Sequence, residues 1–212
     1  MTDTEQTAPP WYDVKAHYDS GTADTQALFL HWSAKLRTAI SLAESRLDAD
    51  IFAHSMRVAA RTGENLPGHR DLLGDDEDKT AGLKAMVVAV LHDLIEDQVR
   101  GQVVDFNHLT ALFGAEVSEA VEILTRPAAS RMTYRDYIEE VAENDLAALV
   151  KIADLDDHLS EANVATLRPT LRPRYERARS QLKTARTTKL WADDADESLK
   201  RWAEQRDMNG AW

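Results

Sequence analysis

A run of apolar residues, Met86-Val87-Val88-Ala89-Val90-Leu91, passes without interruption into His92-Asp93-Leu94-Ile95-Glu96-Asp97. Residues 82–97 are the most apolar stretch of the chain, long enough for a buried helix and not bounded like a strand. Such a helix must be surrounded by other apolar faces, and this one carries a charged pair to its buried end. Burying an unpaired carboxylate is costly. The His92-Asp93 pair therefore needs a partner, and a divalent metal supplies one for both groups at once.

The remaining sequence provides the surrounding faces. Leu28, Leu36, Ile40 and Leu47 are spaced for one face of a helix that opens near Asp24, and Ile51, Met56, Val58 and Ala59 mark an amphipathic helix over 51–61. Asp105 reads as the N-cap of a short helix ending at Phe113-Gly114, and Val117 to Leu124 as another that Pro127 stops. Thr133 opens a helix with Asp136 three residues on, close to a capping box. A further helix over 146–159 contains Val150-Lys151-Ile152-Ala153, and Pro169 and Pro173 precede a basic helix over 174–189. Between them, Gly63, Pro67, Gly68, Gly74 and the acidic run Asp75-Asp76-Glu77-Asp78 give 63–80 the turn chemistry of a loop. No segment alternates at period two, and there is no repeat or low-complexity tract. The expected fold is all-α, a helical bundle.

At 212 residues the chain suits one domain with arms rather than two domains. The expected division is a polar arm over 1–22 carrying Trp11, Tyr12 and Tyr18, a folded domain over 23–190, and an acidic tail over 191–212 with Trp191, Trp202 and Trp212. Aromatic residues on such arms usually find a surface, so a homodimer is expected. The chain has no cysteine, which removes disulfide scaffolds, zinc fingers, iron–sulfur sites and thiol nucleophiles together. Its 25 basic and 37 acidic residues leave a net charge of −12. That charge repels nucleic acid and anionic membrane, so neither is an expected partner. A phosphorylated substrate would have to be met by a local cationic patch or a bound metal. The first residues lack the basic and apolar regions of a signal peptide, and no run approaches the length of a membrane span. A soluble, cytoplasmic protein is expected.

Two more polar residues follow apolar ones in the manner of His92-Asp93: His54 after Ile51-Phe52-Ala53, and Asp154 after Lys151-Ile152-Ala153. His54, His92, Asp93 and Asp154, spread over three helices, form a ligand set suited to Mn²⁺ or another borderline cation, with positions left open for water and substrate. Glu96 lies four residues after His92, and Asp97 four after Asp93, so a continuing helix places both one turn along. Carboxylates there can orient or deprotonate an attacking water. Arg57 and Lys151 share the faces of His54 and Asp154 and are expected to contact phosphate, with Lys84, Arg126 and Arg131 further out. His31 and His108 read as ordinary satisfied histidines, and Asp75 to Asp78 as a solvated loop.

At these residues the chain resembles the HD-domain superfamily of metal-dependent phosphohydrolases, whose pattern H…HD…D is carried by His54, His92-Asp93 and Asp154. Within it, the chain is most similar to the hydrolase domain of RelA/SpoT homologs and the stand-alone small alarmone hydrolases. Three stretches carry this: Leu91-His-Asp-Leu-Ile-Glu-Asp97, Leu112-Phe-Gly-Ala-Glu-Val117 and Val150-Lys-Ile-Ala-Asp-Leu155. The Glu96-Asp97 pair is the most specific of them. The resemblance implies an HD-domain bundle that removes the 3′-pyrophosphate of (p)ppGpp with Mn²⁺ and an activated water. It makes His54, His92, Asp93 and Asp154 the metal ligands, has Glu96 and Asp97 act on water and phosphate, and places Lys151 and Arg57 near the substrate.

The sequence departs from that family at two places. The segment Arg46-Leu-Asp-Ala-Asp-Ile-Phe-Ala-His54-Ser55 replaces a basic stretch that helps hold the guanine nucleotide, and His158 stands on the substrate side where the family has Asn. Two other readings accompany the first. His54-Ser55 followed by Arg57 resembles HD-type nucleotidases acting on a deoxynucleoside monophosphate. The altered residues around His54 and His158 suit a module that binds a nucleotide without turning it over.

Overall fold

A computed structural model describes residues 23–64, 76–126 and 131–189 of the chain. The expected aromatic arm, the acidic tail and Pro127 lie outside the described residues. The helices, in order, are α1 (Ala23–Arg46), α2 (Ala49–Glu64), α3 (Asp76–Leu91), α4 (Leu94–Asp97), α5 (Phe106–Phe113), α6 (Ala115–Leu124), α7 (Tyr134–Glu143), α8 (Asp145–His158), α9 (Glu161–Val164) and α10 (172–189). No strand occurs among the described residues. The fold is all-α, and none of the described helices is long and apolar enough to cross a membrane.

Helix α3 is the axis of the bundle. Every residue from Ala85 to Leu91 is buried, which requires neighbours on all sides of the helix. Those neighbours are α1, α2, α6 and α8. Burying each large aliphatic side chain of this run contributes about 1.5–3 kcal/mol. Helix α8 is the second buried element and packs on α2, α3, α6 and α7. It buries Ala147, Val150, Ile152, Ala153 and Leu155, and with them two carboxylates, Asp154 and Asp157. Ala178 and Leu182 of α10 close the core on the outside.

Local chemistry sets the helix ends. The Asp105 side chain accepts the His108 backbone N–H, starting α5 where expected. The same contact holds the Asp105 carboxyl below the ordinary value, and His108 is exposed and bonded to it through Nδ1 at 2.7 Å. Gly114, at φ 96°, joins α5 to α6 in a conformation that a side chain disfavours. Thr133 and Asp136 form a complete capping box on α7, and the side chain of Asn144 caps α8. His31 stands edge-on to Trp32 at 5.8 Å on α1.

Two expectations are corrected. The loop over 63–80 is narrower: α2 continues to Glu64 and α3 begins at Asp76. Asp76, Glu77 and Asp78 lie in the first turn of α3 and not in a loop. The helix expected through Asp97 is also interrupted. His92 and Asp93 form a turn, Asp93 takes φ −98° and ψ 0°, and α4 restarts at Leu94.

The capping box gives a first test. Thr133→Ala should cost about 1 kcal/mol and lower the melting temperature by roughly 2–4 °C, whereas Thr133→Ser should leave it within a degree or so of the parent. Thermal unfolding followed by circular dichroism reads both, and equal losses for the two variants would contradict the role of the hydroxyl.

Candidate metal centre

The turn at the end of α3 presents His92 and Asp93 where α2 and α8 meet. His92 is 4% exposed, and its Nδ1 lies 2.8 Å from the Ala89 carbonyl. A carbonyl only accepts, so Nδ1 carries the proton and Nε2 presents a lone pair. Asp93 occupies the N-cap of α4 without making a side-chain cap, so its carboxylate is not spent on the helix. Its Oδ2 lies 3.2 Å from His92 Nε2 and 3.8 Å from His54 Nε2.

His54 comes from α2. Its Nδ1 is 2.9 Å from Asp157 Oδ2, and its Nε2 is 3.1 Å from Asp154 Oδ1. Asp154 is 3% exposed. Lys151, one turn earlier on α8, reaches its Oδ2 at 2.8 Å, leaving Oδ1 for the centre. His92 Nε2 and His158 Nε2 lie 4.0 and 3.2 Å from that same Oδ1. His158 also faces the His54 ring at 4.9 Å and the Tyr175 ring of α10 at 5.4 Å.

This geometry could hold a cation. One ligand atom from each of His54, His92 and Asp154 falls within 4.8 Å of the others. Ligand bonds of about 2.0–2.2 Å place neighbouring donors roughly 3–3.5 Å apart, which matches the shorter separations. His92 Nε2 is buried with no hydrogen-bond partner. It faces carboxylate oxygens, and acceptor against acceptor at such distances repels unless a positive charge lies between them. Asp157 on His54 has the form of a carboxylate that orients a metal-bound histidine. The group can hold a metal ion, and Asp93 stands beside it.

The charges are arranged to match. Burial alone would push Asp154 up, but Lys151 and the imidazoles of His158 and His54 hold it well below the usual carboxylate range. Burial likewise works against a charged Lys151, and the Asp154 carboxylate outweighs it, holding the amine well above its ordinary value. Burial opposes a charged His54 too, yet Asp154, Asp157 and Asp93 raise it above the ordinary 6.5. In metal-free protein that charge contributes stability present in full below pH 6.5 and lost as the pH climbs through the raised value.

Glu96 and Asp97 follow on α4. Burial raises Glu96, with Asp97 and Asp93 adding to it against the Arg126 backbone N–H and the Lys151 charge. Burial and the Asp93 charge raise Asp97, opposed by His92 and His54. The Gln98 side chain, bonded to both backbone groups of Val104, pins the loop that follows. Arg57 lies beside the centre, but its Nε and Nη2 are engaged with Asp157.

The outer cations do not reach the cluster. Lys84 pairs with Glu116 at 2.6 Å and lies over Trp32. Arg126 donates to the Met132 carbonyl and lies over the Tyr134 and Tyr137 rings. Arg131 is exposed and in no described contact with the centre. Asp157, Arg61, Asn163 and Tyr175 were not anticipated. Asp157 follows Asp154 by three residues, and Arg61 follows Arg57 by four, so both recur on the expected faces.

Compared with known proteins, the chain matches no protein-family model and no curated protein. What the fold and the site define is an all-α protein in which α2, the turn after α3 and α8 bring His54, His92 and Asp154 together as a candidate metal centre.

Lys151→Met should leave Asp154 without its countercharge and destabilise the protein in chelator by about 3 kcal/mol. Added divalent ion should restore part of that loss, as read by urea denaturation; no metal-dependent recovery would contradict the site. The apparent affinity for the metal should weaken as the pH is lowered through the raised value of His54, because a proton and the metal compete for Nε2.

Proposed function

We propose that the chain is a divalent-metal-dependent phosphohydrolase, that Mn²⁺ is the working metal, and that the bond cleaved is the one joining the 3′-pyrophosphate to (p)ppGpp. The observation that supports hydrolysis most strongly is the buried, unpartnered Nε2 of His92 facing two carboxylates. The alarmone substrate rests on the similarity of residues 91–97 to the RelA/SpoT-type hydrolases.

When bound, a divalent ion supplies Lewis-acid chemistry, neutralising charge on phosphoryl oxygens and acidifying water. The chain's own residues do the rest. Glu96 and Asp97, both raised by partial burial, accept the proton of the attacking water. The water oxygen bonds to the phosphorus next to the 3′ oxygen as that P–O bond breaks. The electron pair stays on the ribose oxygen, which takes up a proton, and pyrophosphate leaves. Arg57, half exposed beside His54, offers its remaining N–H groups to phosphate. Lys151 neutralises Asp154, and His158 forms part of the wall with Tyr175.

Metal-stripped protein incubated with ppGpp should yield GDP and pyrophosphate only after Mn²⁺ is added. Orthophosphate instead would overturn the alarmone reading, and unchanged nucleotide at high enzyme concentration would overturn hydrolysis of it. Glu96→Ala should keep the metal and lower kcat by roughly 10²–10⁴; parallel loss of metal would make Glu96 a ligand.

A further inference from the structure

Asp157 belongs to neither the expected ligands nor the expected substrate contacts, yet it is buried as deeply as a core leucine, at 1% exposure. Five groups converge on its carboxylate and backbone. His54 Nδ1 lies 2.9 Å from Oδ2. Arg57 donates from Nε and Nη2, and Arg61 from Nε at 3.2 Å. Asn163, from α9, donates to Oδ2 at 3.1 Å and to the Asp157 carbonyl at 2.9 Å, and that carbonyl also accepts the Ser160 hydroxyl.

We infer that Asp157 is the positioning residue of the metal centre: it fixes the proton of His54 on Nδ1 and aims the Nε2 lone pair at the metal. This rests on the metal-binding half of the proposed function. A buried carboxylate with only one histidine partner would be poorly compensated. Two arginines and an amide hold it in place, so the carboxylate cannot rotate away and the imidazole cannot turn over. The same oxygens fix Arg57 and Arg61, so one side chain sets both a ligand and the cations on the adjoining helix face. The surplus positive charge faces outward on Arg57, whose side chain is 48% exposed.

The test is Asp157→Ala in the full chain, beside Asp156→Ala as a control, since Asp156 lies one position earlier and pairs, among the described residues, with Arg179 and Lys183 of α10. Mn²⁺ affinity by calorimetry should fall 10–100-fold in Asp157→Ala and stay at the parent value in Asp156→Ala. The second readout is spectroscopic. In Zn²⁺-loaded wild type, nitrogen-15 NMR should show the His54 proton on Nδ1, slowly exchanging and hydrogen-bonded to a carboxylate; the variant should lose that signature. Parent-like affinity in folded Asp157→Ala overturns the assignment alone. A wild-type His54 protonated on Nε2 overturns it without any variant, so failure of the variant to fold leaves the question decidable. Wild type that binds neither ion overturns the metal reading itself, and this assignment with it.

Discussion

Everything around the centre depends on one buried carboxylate. Asp154 is enclosed by α2, α3 and α8, and a charge in that position is tolerable only if it is matched on every side. Lys151 matches one oxygen. The other faces three imidazole nitrogens, of which His54 and His92 have their protons directed elsewhere, to Asp157 and to the Ala89 carbonyl. The lone pairs left over converge on a space that could hold a metal ion. The bundle is built to hold that arrangement still: α3 delivers His92 from its fully buried end, and α8 delivers Asp154 from the middle of its buried face.

The interruption of α3 is part of the same design. Had the helix continued, Asp93 would sit about 100° around the helix from His92. Because the backbone turns there, the Asp93 carboxylate comes to 3.2 Å of its neighbour's Nε2, and α4 places Glu96 and Asp97 near Asp93. Their raised affinity for protons follows from partial burial close to other carboxylates, which is a useful state for groups that exchange a proton with water.

Much of this was legible in the sequence where the signal is local. An apolar run that ends in His-Asp marks a helix carrying polar groups to its buried end, and the caps at Asp105 and Thr133 depend on residues three positions away. Long-range partners were not legible. Asp157 meets His54 across 103 residues, and nothing in its neighbourhood distinguishes it from the half-buried Asp156 until α2 is packed on α8. Lys84 could be read as a phosphate contact because its partner, Glu116, lies on a different helix. The acidic run at Asp76 to Asp78 resembled a loop because acidic residues are common both in solvated loops and at helix starts. The break at His92-Asp93 has neither Gly nor Pro to announce it; it is imposed by the tertiary demand that both side chains face one point.

The most direct test of a metal at that point is anomalous diffraction from a crystal grown with Mn²⁺. The account predicts one strong peak at bonding distance from His54 Nε2, His92 Nε2 and Asp154 Oδ1 together. A site occupied only by water, with Mn²⁺ absent or bound elsewhere on the surface, would contradict it.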